Sequence, residues 1–218
     1  MKENLFISKV YSIVTVQILT SFAVSFVPYY AQGVRDVLYL NPYALSSAVI
    51  GLCANLTALY AYKNNYPTNY VLLGLMSLFD AYLIGFVICA HSPDVVFKTL
   101  GFTTFSSGTI MAYAYVNRDY DFSWLRGGLL CCMGAFLVAV AAQYVFHLGT
   151  LVQTVIAFFG TCVFSLLLLY DAWLIRGYPH EEYALAVIDL HLSIINIFMN
   201  ALYFIKNCFK EDDINLIV

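Results

Sequence analysis

Long apolar runs alternate with short polar segments along the whole chain. Seven runs come close to, or exceed, the roughly 20 residues that an α-helix needs to cross the hydrocarbon of a bilayer. They cover about residues 10–30, 40–62, 70–90, 95–116, 127–146, 151–175 and 183–205. The pattern predicts an all-α, polytopic membrane protein with seven transmembrane helices, forming a single transmembrane domain over residues 1–218.

The polar segments between the runs are short, and several carry residues that break helices. A short loop containing Gly33, Arg35 and Asp36 is expected after the first run. Residues 91–94 (His-Ser-Pro-Asp) should stop the chain before the fourth run, and residues 147–149 (His-Leu-Gly) predict a tight turn before the sixth. Loops of this length leave little room for an ordered domain outside the membrane.

Composition supports the same class of protein. Of the 218 residues, 62% are hydrophobic and 11% are charged, and the mean hydropathy is +0.80. Soluble domains carry roughly 25% charged residues, so the expected surroundings are a lipid bilayer. The net charge of −3 and the absence of a basic run argue against a nucleic-acid partner. The six cysteines contain no CxxC pair and read as small apolar fillers.

The distribution of basic residues predicts the orientation. With seven spans, six basic residues fall on the amino-terminal side: Lys2, Lys9, Lys63, Arg118, Arg126 and Arg176. Four fall on the other side: Arg35, Lys98, Lys206 and Lys210. Because basic residues concentrate on the cytosolic side of membrane proteins, we expect a cytosolic amino terminus. The short acidic tail would then lie on the lumenal or external side.

Three acids fall inside the apolar runs, and they are the candidate functional residues. Asp80 lies near the middle of the third run, while Asp171 and Asp189 lie about 12 and 15 Å from Pro179 along the sixth and seventh runs. An acid in hydrocarbon is rare and usually faces a cavity or a partner. If the last two runs form a hairpin, their carboxyl groups can share a proton and act as a pH-sensitive latch.

Four segments in the right order resemble the transmembrane Bax inhibitor motif family. They are FISKVYSIVTVQILTSF, YPTNYVLLGLMSLFDAYLIG, FTTFSSGTIMAYAYVNRDYDFS and LLLYDAWLIRGYPHEEYALAVIDLHLSIINIF. The very short amino terminus resembles the Golgi anti-apoptotic branch. The resemblance implies six helices packed around the seventh, in a Golgi or endoplasmic reticulum membrane. It also implies a leak pathway for calcium ions that lowers stored calcium and inhibits apoptosis, with contacts to other membrane proteins of apoptosis control.

One position departs from the family pattern. The family reads Leu-Asp-Ile-Ile-Asn near its end, where this chain has Ser193 in place of the acid that would pair with Asp171. Asp189, four residues earlier on the same helix face, is one replacement for the missing acid. The alternative, which we favour, is that Ser193 faces Asp171 and the latch is lost. His191 is either a proton relay or a packing residue, and Asp80 either lines the pathway or pairs with a backbone or hydroxyl group across helices.

Other function classes find less support in the sequence. A membrane zinc hydrolase would need clustered histidines, and the chain contains no HxxxH or GxSxG motif. We therefore expect neither an enzyme nor a bound cofactor or metal centre. A proton-coupled transporter would suit the acids but lacks evident inverted repeats. The remaining alternative is a non-conducting scaffold that binds cell-death or stress-sensor proteins, although a scaffold gives no reason for acids in the membrane.

Overall fold

A computed structural model describes residues 2–40, 42–117 and 120–209. Its elements are α1 (Lys2–Ser25), α2 (Val27–Tyr30), α3 (Gln32–Leu40), α4 (Pro42–Ala61), α5 (Thr68–Ile88), α6 (Pro93–Val116), α7 (Leu125–Phe146), α8 (Thr150–Leu174) and α9 (Tyr183–Phe209). Two single-turn 3₁₀ helices, Ile175–Gly177 and His180–Glu182, connect α8 to α9. Since every element in these ranges is helical, the prediction of an all-α fold is confirmed.

Within the described ranges, six helical segments are long and apolar enough to cross a bilayer. They are Asn4–Tyr30, Tyr43–Ala61, Thr68–Ile88, Leu125–Phe146, Thr150–Gly177 and His180–Cys208. The predicted fourth span corresponds to α6, a full helix of 24 residues. Hydroxyl side chains such as Thr103, Thr104 and Ser107 lower the apolar content of this helix. The chain is a polytopic membrane protein, and its seventh crossing stays a prediction.

The predicted loop around Gly33 is wrong, because the chain there forms α3. Its residues Gln32, Arg35 and Asp36 recur at helical spacing among apolar neighbours, which is the pattern of a short amphipathic helix. The predicted first span is also divided, since α1 ends at Ser25 and α2 follows with Pro28 in its first turn. A proline cannot donate a backbone hydrogen bond within a helix.

The predicted turns lie where the sequence placed them. Ser92 caps the amino end of α6 by accepting a hydrogen bond from the Val95 amide, with Pro93 in the first turn. His147 ends α7 in the left-handed conformation, with φ of 46°. The structure does not describe Arg118, Lys210 or most of the predicted acidic tail. The side of the membrane on which the tail lies therefore stays a prediction.

The chain divides into two compact units. The first comprises residues 1–91 and 176–191, and the second comprises residues 92–175 and 192–218. Helix α9 therefore contributes its first part to one unit and the remainder to the other. The predicted arrangement of six helices around the seventh, and the prediction of a single domain, stay predictions.

In the first unit, α5 packs against both α1 and α4. Polar side chains of α1 attach it to the backbone of α5: the Gln17 side-chain amide donates to the Leu73 carbonyl (2.8 Å), and the Ser21 hydroxyl donates to the Ser77 carbonyl (3.1 Å). These bonds satisfy polar groups that have no water to bind in a membrane. The first unit thus contains a polar contact between two spanning helices.

In the second unit, α8 packs against both α6 and α7. Gly160 of α8 allows a close approach, because a Cβ atom there would lie 2.3 Å from the Asn200 Oδ1 atom of α9 and 2.5 Å from the Phe136 ring of α7. Small residues commonly mark such contacts between membrane helices. Gly160 therefore sets the packing distance in this unit.

Candidate functional site

The structure describes all three intramembrane acids, and each accepts a hydrogen bond from a different kind of side chain. Asp80 of α5 and Asp171 of α8 are buried, with 3% and 8% of their surface exposed, while Asp189 of α9 is half-buried. Ionised carboxylates are very costly in apolar surroundings unless they are paired or hydrogen-bonded. The partner of each acid therefore determines what that acid can do.

Asp171 accepts a hydrogen bond from Ser193 within the second unit. The Ser193 Oγ atom of α9 lies 2.7 Å from Oδ2 of Asp171, and Ser193 is itself buried. This geometry is the one that the second sequence alternative described, in which a hydroxyl stands where the family has an acid. A serine hydroxyl donates to a carboxylate, but it does not titrate in the physiological range.

Asp80 pairs with His191 within the first unit. The His191 Nε2 atom lies 2.8 Å from Oδ2 of Asp80, and His191 has no exposed surface. The other ring nitrogen, Nδ1, has no hydrogen-bond partner among the described residues. Sequence reasoning considered each residue singly and missed this pairing, because 111 residues separate the two and no local pattern connects them.

Asp189 accepts a hydrogen bond from Tyr178, also within the first unit. The phenol oxygen lies 2.7 Å from Oδ2 of Asp189. Tyr178 belongs to the polar turn before α9, and no sequence motif distinguishes it from the other residues of that turn. The carboxyl group considered as a replacement for the missing acid thus has a phenol as its hydrogen-bond donor.

The polar turn between α8 and α9 is held by side chains of the first unit. The Lys63 ammonium forms an ion pair with Glu182 (2.7 Å), and the Phe6 ring meets the His180 ring edge to face at 4.9 Å. The Lys9 ammonium lies 3.5 Å from the centre of the Tyr183 ring, a close cation–π contact. These contacts fix the start of α9, on which Asp189 and His191 lie.

Metal ligands are not clustered in the described ranges. No group of three or more histidine, cysteine, aspartate or glutamate side chains there could hold a metal ion.

Comparison with known proteins gives matches over nearly the whole chain. A family model described as inhibitor of apoptosis-promoting Bax1 matches residues 3–209. The chain is 27% identical over 200 residues to Protein LIFEGUARD 4 of Arabidopsis thaliana, covering 89% of this chain and 81% of that protein. It is 28% identical over 202 residues to the Golgi anti-apoptotic protein of Vaccinia virus (strain Lister), covering 92% and 84%. It is 30% identical over 205 residues to the BI1-like protein of Arabidopsis thaliana, covering 92% and 80%.

Proposed function

The chain belongs to the Bax inhibitor family, and from that membership we propose that it is a calcium leak channel of intracellular membranes that inhibits apoptosis by lowering stored calcium. The name of the vaccinia relative favours the Golgi as its location. The endoplasmic reticulum is the second candidate, and the amino terminus is taken to be cytosolic. Calcium is the permeant ion in this proposal.

The buried acids are the observation that carries the proposal. Asp80 and Asp171 lie in two of the segments long enough to span a bilayer, and both are almost fully buried. Acids at such positions commonly mark ion or proton pathways. Calcium prefers carboxylate and carbonyl oxygens, so these residues supply the ligand type that a passing calcium ion requires.

Calcium flux through purified protein in liposomes tests the proposal directly. Liposomes containing a calcium indicator should fill faster with the wild-type protein than without it, and Asp171→Asn should slow the filling several-fold. Asp80→Asn should also slow it. Asp121→Asn is the matched control, since Asp121 is an acid outside the spanning segments and is exposed.

The outcome also separates the channel from the alternative scaffold. A scaffold that binds membrane proteins of apoptosis control would give no flux in liposomes and leave the calcium content of intracellular stores unchanged, while still protecting cells. If Asp171→Asn still protects cells and the purified protein gives no flux, the scaffold is favoured. Protection lost in the same variant that loses flux would favour the channel.

The pH response of the flux is a further part of the proposal. Because Ser193 does not titrate, the Ser193–Asp171 contact offers no second carboxyl group to share a proton, and we expect it not to act as a pH latch. Comparing Asp171→Asn with Asp189→Asn tests this: if Asp189 replaces the missing acid, both variants flatten the pH profile equally. If the latch is lost, as the Ser193–Asp171 hydrogen bond favours, Asp189→Asn changes the profile little.

A further inference from the structure

A groove of about 430 Å³ runs between α4 and α5 on the surface of the first unit. Its lining is mostly apolar, with small residues on α4 and large ones on α5: Ala44, Ser47, Ala48, Leu75, Leu78, Phe79 and Tyr82. We call it the α4–α5 groove. It is unrelated to the acids described above, none of which lines it.

Side-chain size explains why the two helices leave this space. Deeper in the contact, Phe79 lies against Gly51, where a Cβ atom would come within 2.6 Å of the ring. The helices can approach there because Gly51 has no side chain. Nearer the start of α4, alanine and serine side chains are too short to fill the space beside Leu78 and Phe79, so the groove stays open.

The bilayer is the environment of this groove. Both of its walls belong to segments long enough to span a membrane, Tyr43–Ala61 and Thr68–Ile88. Its rim is exposed at Ser47 and at Leu78, whose exposed fraction is 51%. An unfilled groove loses van der Waals contacts along its lining, and a lipid acyl chain is the apolar group available at that surface.

The groove lies across the middle of the span. At 1.5 Å per residue, Leu75 lies about 20 Å and Tyr82 about 9 Å before the end of α5 at Ile88. The hydrocarbon core is about 30 Å thick, so one leaflet is about 15 Å deep. A lipid whose head group lies at the end of α5 therefore has the lower part of its chains beside the Tyr82 end of the groove.

A basic residue lies at that end of the groove. Arg35 belongs to the amphipathic helix α3, which directly precedes α4 and contacts it. The preceding helix α2 lies against the last part of α5, since a Cβ atom at Gly85 would come 3.2 Å from the Pro28 ring. Helix α3 follows α2 directly and contacts it, which places Arg35 toward the same end of α5. Among the described residues, no ion pair to Arg35 is recorded, although the exposed Asp36 follows it in the chain.

We propose that the α4–α5 groove binds one acyl chain of an anionic phospholipid, whose phosphate is held at Arg35. The apolar lining and the depth of the groove select the chain. The charge of Arg35 selects the head group, because a basic residue at the membrane surface favours anionic lipids by about 1 kcal/mol. Lipid binding in this groove does not require ion flux, so its test does not depend on whether the protein is a channel.

Photo-crosslinking in liposomes tests the proposal. The full-length protein is reconstituted in phosphatidylcholine with a small fraction of phosphatidylserine that carries a diazirine in its acyl chain. The expected result is labelling concentrated on peptides containing residues 44–51 and 75–82. Labelling there should be about fivefold stronger than with a diazirine phosphatidylcholine, which corresponds to about 1 kcal/mol.

Three variants sharpen this test. Ser47→Phe fills the groove from an exposed position and should abolish the concentrated labelling. Arg35→Gln should keep the labelling but remove the preference for phosphatidylserine. Val138→Phe, at an exposed position of α7, is the matched control for added aromatic bulk and should change neither.

Defined results would overturn the proposal. Uniform labelling of all lipid-facing helices, or unchanged labelling in Ser47→Phe, would show that the groove holds no particular chain. Equal labelling by the two lipids in the wild-type protein would remove the role of Arg35. Cross-links between two copies through the exposed Cys53 of α4, found in place of lipid labelling, would assign the groove to a second copy of the chain.

Discussion

Asp80 and Asp171 are buried to a similar extent, but their hydrogen-bond partners differ in chemistry. Asp80 in the first unit pairs with an imidazole, and Asp171 in the second unit accepts from a hydroxyl. Both partners lie on α9, only two residues apart, at His191 and Ser193. One helix thus supplies a titratable partner to one unit and a non-titratable partner to the other.

The difference shows that burial alone does not determine what an intramembrane acid can do. Asp80 meets an imidazole ring, whose Nε2 atom lies 2.8 Å from the carboxyl oxygen. Asp171 meets a hydroxyl group, which donates a hydrogen bond to the carboxylate. We therefore expect the two sites to differ in stability and in their tolerance of substitution.

The largest expected effect is that of His191→Leu. This variant leaves the Asp80 carboxyl buried without its partner, and removing one partner of a buried pair costs about 3–5 kcal/mol when the acid left behind is ionised. Unfolding of the detergent-solubilised protein by heat or denaturant measures the loss. The double variant Asp80→Leu/His191→Leu is the control, since replacing both partners with apolar groups is often nearly neutral. Equal losses in the single and double variants would mean that lost packing, and not the unpaired acid, is responsible.

A smaller loss is expected for Ser193→Ala. Hydrogen bonds to charged groups contribute about 1.5–3 kcal/mol, and the Ser193–Asp171 bond is short and buried. Ser47→Ala is the matched control, because the exposed Ser47 hydroxyl only donates to the Ala44 carbonyl of its own helix. A change in Ser193→Ala no larger than in Ser47→Ala would contradict a charged acceptor at Asp171.

Most of the fold followed from the sequence, because apolar runs of membrane length permit few structures. Six of the seven predicted runs correspond to helices long and apolar enough to span, and the turns at Ser92 and His147 were also predicted. Helix α3 was missed, since nine residues of mixed polarity around Gly33 resemble a loop as much as a surface helix. Only packing against neighbouring helices decides between the two.

The sites followed from the sequence less completely. The acids stood out because a carboxyl group is rare among apolar neighbours, and the comparison with the family motif pointed to Ser193 opposite Asp171. The pairing of Asp80 with His191 could not be read from the chain, because it depends on how α5 and α9 pack in the first unit. The Tyr178 hydroxyl was missed for the same reason: its partner is set by the shape of the turn before α9.

Ser193→Asp should give the second unit a pair of carboxyl groups whose stability depends on pH. Two carboxyl groups at hydrogen-bond distance can share one proton, while removing both protons places two negative charges together. The variant should therefore lose stability as the pH rises, by about 1.4 kcal/mol for each tenfold change in proton affinity. Unfolding measured from pH 5 to 8, with Ser193→Asn as the uncharged control, checks this. Parallel pH curves for the two variants would mean that the new acid does not meet Asp171.

The smallest effect is expected at Asp121, which has the same kind of donor as Asp171 but is exposed outside the spanning segments. The Ser123 amide lies 2.8 Å from one carboxylate oxygen of Asp121, and the Ser123 hydroxyl lies 2.9 Å from the other. These two bonds, the amide first, lower the pKa of Asp121 below its ordinary value of about 4.

A lowered pKa means that the bonds add stability above about pH 4 and lose it as the pH falls through the pKa of the folded state. Ser123→Ala removes the hydroxyl but keeps the amide, so the pKa of Asp121 should return only part of the way. Because water competes for both partners, Ser123→Ala should destabilise the protein much less than Ser193→Ala at pH 7. The difference between Ser123→Ala and the wild type should shrink as the pH falls through the pKa of Asp121 in the folded state. Unfolding of both variants at pH 7 and along an acid titration measures this. Equal losses at pH 7 would show that the membrane environment adds nothing to a serine–aspartate hydrogen bond.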